Sequence, residues 1–255
     1  WKTAGIMTEA DFNEDGSPKV PVFSSGSTYT PGDMKFVDVN GDGVIDDNDR
    51  TFIGNPNPDF YYGFNINMEY KGFDLSMFFQ GVAGNEIYDV TRYFRYSNVS
   101  YSGGWENLNY LSFSNVSEDY FDKVWRPVPD PANPSYRDHW GANLNGTVPL
   151  PSSDGTKNEM NFRNSDFYIQ DGSYLRLKNI QLGYTFPKKW VNKLSVSNLR
   201  VYASATNLFT ITSYDGLDPE VGKTSGQESN NLYLGIDQGV YPQARSYMFG
   251  VIIDF

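Results

Sequence analysis

The sequence predicts an all-β protein that contributes about five antiparallel strands to a transmembrane β-barrel. Three observations support this fold class. Five segments alternate apolar and polar residues with a period of two. The connections between them are either short or very long, and aromatic residues make up 16% of the chain. Outer-membrane barrels combine alternating strands, short turns at one end, long loops at the other, and aromatic residues at both membrane interfaces.

The first two strands are predicted to form a hairpin in residues 59–81. Every second residue from Phe60 to Tyr70 is apolar, and the residues between them are polar, glycine or Tyr61. A short turn at Lys71-Gly72 follows, and residues 73–80 alternate in a similar way. Two alternating segments around a short turn that contains glycine are typical of a β-hairpin.

Three further strands follow later in the chain. The third, in residues 173–186, alternates cleanly in its second half, but in its first half Arg176 and Lys178 share the parity of the apolar residues. Either a bulge intervenes, or this end stands clear of the apolar zone. The fourth strand, in residues 198–208, completes a second hairpin region, 173–208. The fifth, in residues 246–255, closes the chain.

The remaining segments are predicted to be long loops on one side of the membrane: residues 1–58, 82–172 and 209–245. They far exceed ordinary loop lengths. A soluble β-sandwich more often has short turns at both ends. A soluble domain with an aromatic-rich core stays open as the alternative, in the form of a secreted, calcium-braced, glycan-binding module.

Composition excludes several classes of function. The chain has 31 acidic and 20 basic residues, a net charge of −11, which argues against nucleic-acid binding through a basic surface. It has no cysteine and one histidine, His139, so Cys-ligated and His-rich metal sites are excluded. No catalytic motif stands in a strand–helix context. We therefore expect no enzyme, no catalytic residues and no organic cofactor.

An acidic segment, residues 38–49, has the ligand spacing of an EF-hand calcium loop. Gly43 stands at the sharp turn of position 6, and position 12 is Asp where EF-hands have Glu. Calcium loops of the dockerin kind also carry Asp there. The predicted structural Ca²⁺ ligands are Asp38, Asn40, Asp42, the carbonyl of Val44, Asp46 and Asp49. The alternative is a solvated loop rich in Asx turns. A partial repeat of the pattern at residues 11–16 is interpreted as a turn.

The longest predicted loop holds the remaining candidates. His139 is interpreted as an ordinary loop residue, with ligand contact as the alternative. Trp105, Trp125 and Trp140 either stack on sugar rings or pack the loops.

Several segments, in order, resemble the C-terminal barrel region of SusC/RagA-type TonB-dependent outer-membrane transporters of Bacteroidetes. These are residues 32–50 (GDMKFVDVNGDGVIDDNDR), 53–59 (IGNPNPD), 70–75 (YKGFDL), 79–81 (FQG), 171–187 (DGSYLRLKNIQLGYTFP), 204–209 (SATNLF) and 241–255 (YPQARSYMFGVIIDF). The ending, with Phe255 last, is similar to the signal that the outer-membrane assembly machinery recognises.

The resemblance implies import of oligosaccharides or peptides across the bacterial outer membrane. It implies as partners the lipid bilayer, the rest of the same barrel with its plug, TonB acting through that plug, and a SusD-like surface lipoprotein. If Phe255 ends at the periplasm, the turns at 70–73 and 187–197 are periplasmic and the long loops are extracellular. The resemblance does not identify the nutrient.

Overall fold

The computed structural model describes residues 1–24, 28–96, 118–132, 141–150, 155–191, 196–222 and 234–255. The strands are β1 (Thr3–Ile6), β2 (Met34–Phe36), β3 (Phe60–Tyr70), β4 (Phe73–Ala83), β5 (Glu86–Asp89), β6 (Ile169–Asp171), β7 (Tyr174–Thr185), β8 (Asn198–Thr206), β9 (Thr210–Thr212), β10 (Ile236–Asp237) and β11 (Ser246–Asp254). The α-helices are short: α1 (Thr91–Tyr96), α2 (Glu118–Lys123), α3 (Gly155–Asn161) and α4 (Lys188–Val191). Within these ranges, no helix has the length and apolar character needed to cross a membrane.

The chain divides into two compact units. The strand unit comprises Asn55–Tyr88 and Gln170–Phe255. Its main sheet has the order β3-β4-β7-β8-β11, and all neighbours are antiparallel. Each long strand therefore lies beside the previous long strand of the sequence, and β9 adds a short pairing to the start of β7. The five strands predicted from alternation are confirmed, with ends that differ by at most three residues.

The turn between β3 and β4 closes one end of the sheet. Lys71 and Gly72 both have positive φ, at 49° and 88°. Two consecutive residues with positive φ are the requirement of a type I′ turn, which suits the right-handed twist of a hairpin. We call this the turn end of the sheet. The opposite end, where β3 begins and β4 ends, is the loop end.

A bulge in β7 decides the alternative left open for its first half. Phe78 pairs with Asn179, but Phe79 pairs with Leu177, so Lys178 is the extra residue. Leu177 thereby joins the apolar face, and Arg176 turns to the polar face beside Gln80. One inserted residue reverses the side-chain parity of everything before it, which explains why basic residues occupied apolar positions in the sequence pattern.

The second unit, which we call the loop unit, comprises Trp1–Gly54 and Asp89–Ile169. Here β1 pairs with β2 in a short two-stranded sheet. Two clusters of buried residues form its core: Met7, Phe12, Phe23, Tyr29, Met34, Phe36, Ile45 and Met160 in one, and Tyr96, Tyr120, Val124, Val148 and Phe162 in the other. Segments that the sequence marked only as long loops thus build hydrophobic cores of their own.

A buried carboxylate ties the loop unit together. Asp33 accepts hydrogen bonds from Asn161 Nδ2 at 2.9 Å and from the Thr30 N–H at 2.8 Å, and it pairs with Lys157 Nζ at 3.0 Å. Asn161 in turn accepts from the Met34 N–H at 2.9 Å. Because a buried charge is tolerated only when it is paired and hydrogen-bonded, this cluster fixes α3 against the segment that leads into β2.

Candidate functional site

One face of the main sheet is apolar and exposed. A lateral row of paired residues crosses all five strands on this face: Met68, Leu75, Leu182, Ala203 and Phe249. Phe249 is 81% exposed and Leu182 is 50% exposed. Water-soluble proteins rarely expose a continuous apolar face, whereas the outer face of a membrane barrel is apolar because it contacts lipid.

Aromatic rings gather at both ends of this apolar face. At the turn end, the ring of Tyr184 lies 4.5 Å from that of Phe73 and 5.0 Å from that of Phe186, between centroids. At the loop end, the rings of Phe60 and Tyr62 lie 5.8 Å apart between centroids. The 11 residues of β3 span about 33 Å, or about 25 Å of height at a tilt near 40°. That height matches the apolar band of an outer-membrane barrel.

The opposite face is mainly polar and carries the charged and amide side chains, with Phe78, Met248 and Ile252 as exposed apolar exceptions. Two adjacent lateral rows define it: Glu69, Asp74, Gly183, Tyr202 and Gly250 nearer the turn end, then Asn67, Ser76, Gln181, Ser204 and Met248. In a membrane barrel this face lines the lumen. We call it the inner face.

An ion pair spans three strands on the inner face. Arg200 on β8 donates to Asp74 on β4, from Nη2 at 2.6 Å and from Nε at 3.2 Å. The pair crosses β7 at Gly183, where a Cβ would lie 2.5 Å from both the guanidinium and the carboxylate. Glycine therefore leaves the space that this pair occupies. Sequence reasoning placed Gly183 on the polar parity but did not foresee the pair, because its partners lie more than a hundred residues apart.

A second, more buried cluster lies at the loop end of the inner face. Arg176 contacts Asp218 from Nη2 at 2.5 Å and Glu220 from Nη1 at 2.7 Å, and Lys178 Nζ contacts Glu220 at 2.7 Å. Burial alone would raise the pKa of Asp218. Hydrogen bonds from the N–H groups of Gln243 and Glu220, together with Arg176, hold that pKa below its usual range. The parity break at Arg176 and Lys178 marked this end of β7 in the sequence, but nothing in the local pattern identified Asp218 and Glu220 as their partners.

The acidic loop predicted to bind calcium lies in the loop unit and is closed by its own hydrogen bonds. Asp38 accepts from the N–H groups of Gly41 and Gly43 at 2.6 and 2.8 Å. Asn40 and Asp42 bond to each other, with Nδ2 of Asn40 2.9 Å from Oδ2 of Asp42. Asp46 caps the 3₁₀ turn Asp47–Asp49 by accepting from the Asn48 N–H at 2.7 Å. Val44 is exposed, and its carbonyl oxygen takes part in none of the hydrogen bonds just described.

Asp49, at position 12, joins the two ends of this loop. Its fully buried carboxylate accepts from the N–H groups of Asp46 and Val39, each at 2.8 Å. The hydrogen bond from the Asp46 N–H is the main cause that lowers the pKa of Asp49, and burial opposes this shift. The Asp38 carboxyl also lies within hydrogen-bonding reach of Asp49. The described residues hold no group of three or more Asp, Glu, His or Cys side chains gathered as a metal site. The donor chemistry suits a hard cation, and calcium binding stays a prediction.

The remaining candidates are settled only in part. Trp125 is 2% exposed, so the packing interpretation is correct for it and sugar stacking is excluded. His139, Trp105 and Trp140 lie outside the described residues. At the partial acidic repeat, Asp15 accepts from the N–H of Ser17 at 2.9 Å and from its hydroxyl at 2.5 Å, which is a turn as predicted.

Comparison with known proteins identifies the family. TonB-dependent receptor P3 of Formosa agariphila is 33% identical over 226 residues, which cover 88% of this chain and 19% of that receptor. TonB-dependent receptor SusC of Bacteroides thetaiotaomicron is 32% identical over 227 residues, covering 88% of this chain and 18% of SusC. The chain is a portion of a SusC/RagA-type TonB-dependent receptor. It spans about a fifth of the length of these relatives. No protein-family model matches it.

Solved structures share the fold of this receptor portion. A chain in the structure of the RagAB peptide transporter aligns with a TM-score of 0.58 at 20% identity, over 98% of this chain and 21% of that one. A chain of the RagAB peptide importer in its "closed-closed" state aligns with a TM-score of 0.54, also at 20% identity, over 98% of this chain and 22% of that chain. The main sheet is therefore part of the wall of a transmembrane β-barrel. Because the relatives are receptors and transporters, the comparison also supports the prediction that the chain is not an enzyme.

Proposed function

We propose that this receptor portion is wall and loops of an outer-membrane importer that takes up an oligosaccharide or a peptide. The observation that carries the proposal is the two-faced sheet: five adjacent antiparallel strands, apolar and exposed on one side, mainly polar on the other. The apolar face contacts lipid, and the inner face borders the lumen through which the nutrient passes.

The import of a nutrient by such a receptor uses several partners. In the proposal, the rest of the barrel pairs with the edges of β3 and β11, a plug fills the lumen, and TonB acts through the plug. A surface lipoprotein of the SusD type closes over the extracellular side. The names of the relatives support TonB dependence, and the RagAB structures support an assembly of two components.

The proposed topology sets the long connections, residues 1–58, 82–172 and 209–245, outside the cell. Phe255 ends at the periplasm, so the turn end faces the periplasm and the loop end faces outward. The acidic loop, residues 38–49, then meets the extracellular medium, where millimolar-range Ca²⁺ suffices for a weak site. We propose that Ca²⁺ bound there braces the loop and has no part in transport chemistry.

Growth of a receptor-deletion strain tests the function. The strain is complemented with the full receptor, or with the same receptor from which the segment that meets TonB has been removed. Cells are supplied with a panel of oligosaccharides or with peptide mixtures as the limiting nutrient. A growth defect confined to one panel, rescued only by the intact receptor, supports import and names the nutrient class. Normal growth of the deletion strain on every nutrient, with no loss of uptake, would contradict the proposal.

A further inference from the structure

The inner face of β4 and β7 is covered at the loop end. At the loop end, three inner-face side chains are buried: Val82 at 7% exposure, Tyr174 at 6% and Arg176 at 2%. Farther along β7, the inner-face residue Asn179 is exposed. On β3, the inner-face residues are exposed along the strand, including Tyr61 at the loop end. The inner face is therefore covered over β4 and β7 near the loop end, and it is open farther along β7 and on β3.

Residues 213–220, which we call the strap, meet Arg176 there through Asp218 and Glu220, and Arg176 also donates to the hydroxyl of Thr210 on β9. The β7 bulge turns Arg176 and Lys178 to the same side, and both reach carboxylates of the strap. Two cations meet two anions, Asp218 and Glu220, so the cluster is balanced in charge. Arg176 and Asp218 are nearly fully buried. Removing one partner of such a pair leaves the other buried and unpaired, which is strongly destabilising locally.

Further bonds fix the strap at its first residues and at Asp218 itself. The hydroxyl of Tyr214 donates to the buried carboxylate of Asp237 at 2.6 Å, and Ser213 Oγ donates to Asp171 at 3.0 Å. The second oxygen of Asp218 accepts from the N–H of Gln243, in the segment that leads into β11, at 2.9 Å. The strap is thus bonded at its beginning and its end to three separate parts of the strand unit.

We propose that the strap is a fixed constriction on the inner face of the barrel wall, and that it limits the size of the solute that reaches the lumen below it. The proposal rests on the proposed import function, because a constriction matters only where a solute passes. Asp218 and Glu220 act as positioning residues. Their ion pairs with β7 hold the strap against the wall.

Cysteine accessibility in the full receptor, otherwise free of cysteine and expressed in the outer membrane of cells, tests the constriction. The reporter is Asn179→Cys, an exposed inner-face position next to the bulge. A small maleimide and a maleimide carried on a polyethylene glycol chain are added from outside. Releasing the strap with D218N/E220Q should raise the labelling rate for the large reagent, relative to the small one, by about tenfold or more.

Two further variants serve as controls for the labelling experiment. D74N breaks the inner-face ion pair with Arg200, which does not contact the strap, and should leave the labelling ratio unchanged. K178M removes only the partly exposed cation and should give a smaller rise, so the test survives if the double variant does not assemble. Equal labelling ratios in all backgrounds, including no labelling in any, would overturn the constriction. Failure of the parent receptor to import any nutrient would instead overturn the proposed function.

Discussion

Placing an arginine at Leu182 should weaken the folded receptor, because this side chain lies on the lipid-facing side of β7. Leu182 is half exposed and pairs laterally with Leu75 and Ala203. It lies two residues from the aromatic side chain of Tyr184, about 6–7 Å along the strand. Arginine costs about 2–4 kcal/mol at the midplane of a barrel and less toward the interface. Since the guanidinium can reach toward the Tyr184 level, we expect L182R to cost about 2 kcal/mol.

The assay is denaturant unfolding of the full receptor reconstituted in lipid vesicles, followed by tryptophan fluorescence, with wild type and variant compared in the same lipid. Q181R is the matched control, because it places the same charge one residue away on the inner face. It should change the unfolding free energy by no more than about 0.5 kcal/mol. If Q181R proved as costly as L182R, or if L182R were neutral, the assignment of faces would be wrong.

Three further perturbations have definite expected outcomes. G81A should lower the free energy of unfolding by about 1–3 kcal/mol, since a Cβ there would lie 2.5 Å from the backbone carbonyl oxygen of Tyr174. In G183A the added Cβ meets only the ends of side chains, so the loss should be about 1 kcal/mol or less. A larger loss for G183A than for G81A in thermal melts would refute this. D38A/D42A should abolish the heat of Ca²⁺ binding in calorimetry of the full receptor, and heat equal to that of wild type would remove the site. Burial would raise the pKa of Asp11, but Lys35 and Thr8 hold that pKa below its usual value. Asp11 therefore stabilises the fold above its unfolded pKa of about 3.9, and this contribution is lost as the pH falls through its lower folded pKa. The melting difference between wild type and K35M should therefore shrink below about pH 4, and a difference that stays constant to lower pH would contradict it.

The barrel wall could be predicted from the sequence because the alternation of apolar and polar residues within each membrane strand indicates its two faces. Alternation over 60–70 and 73–80 fixed both faces of the first hairpin, and Lys71-Gly72 carried the turn chemistry. The same logic failed at Arg176 and Lys178 for a definite reason. A bulge changes parity without changing composition, so the sequence offered two interpretations and only the pairing of Phe79 with Leu177 separates them.

The loop unit and the strap could not be predicted in this way, because their contacts join distant segments that have no period. Asp33 meets Asn161, and Arg176 meets Asp218, across 128 and 42 residues. The order of such pairs along the chain carries no local signal. The family resemblance helped with the wall and gave no information on these contacts.

The acidic composition takes a different meaning from the structure. Excess carboxylates ordinarily lie on the solvated surface of a protein. In the described ranges, however, the buried charged residues are mostly aspartates: Asp33, Asp49, Asp89, Asp218 and Asp237. Each accepts backbone N–H groups of a turn or loop or pairs with a basic side chain. A short carboxylate can take several N–H donors at once, so one aspartate can replace the regular hydrogen bonding that a loop lacks. Long connections between barrel strands therefore keep a defined shape, and part of the net charge of −11 serves to fold them.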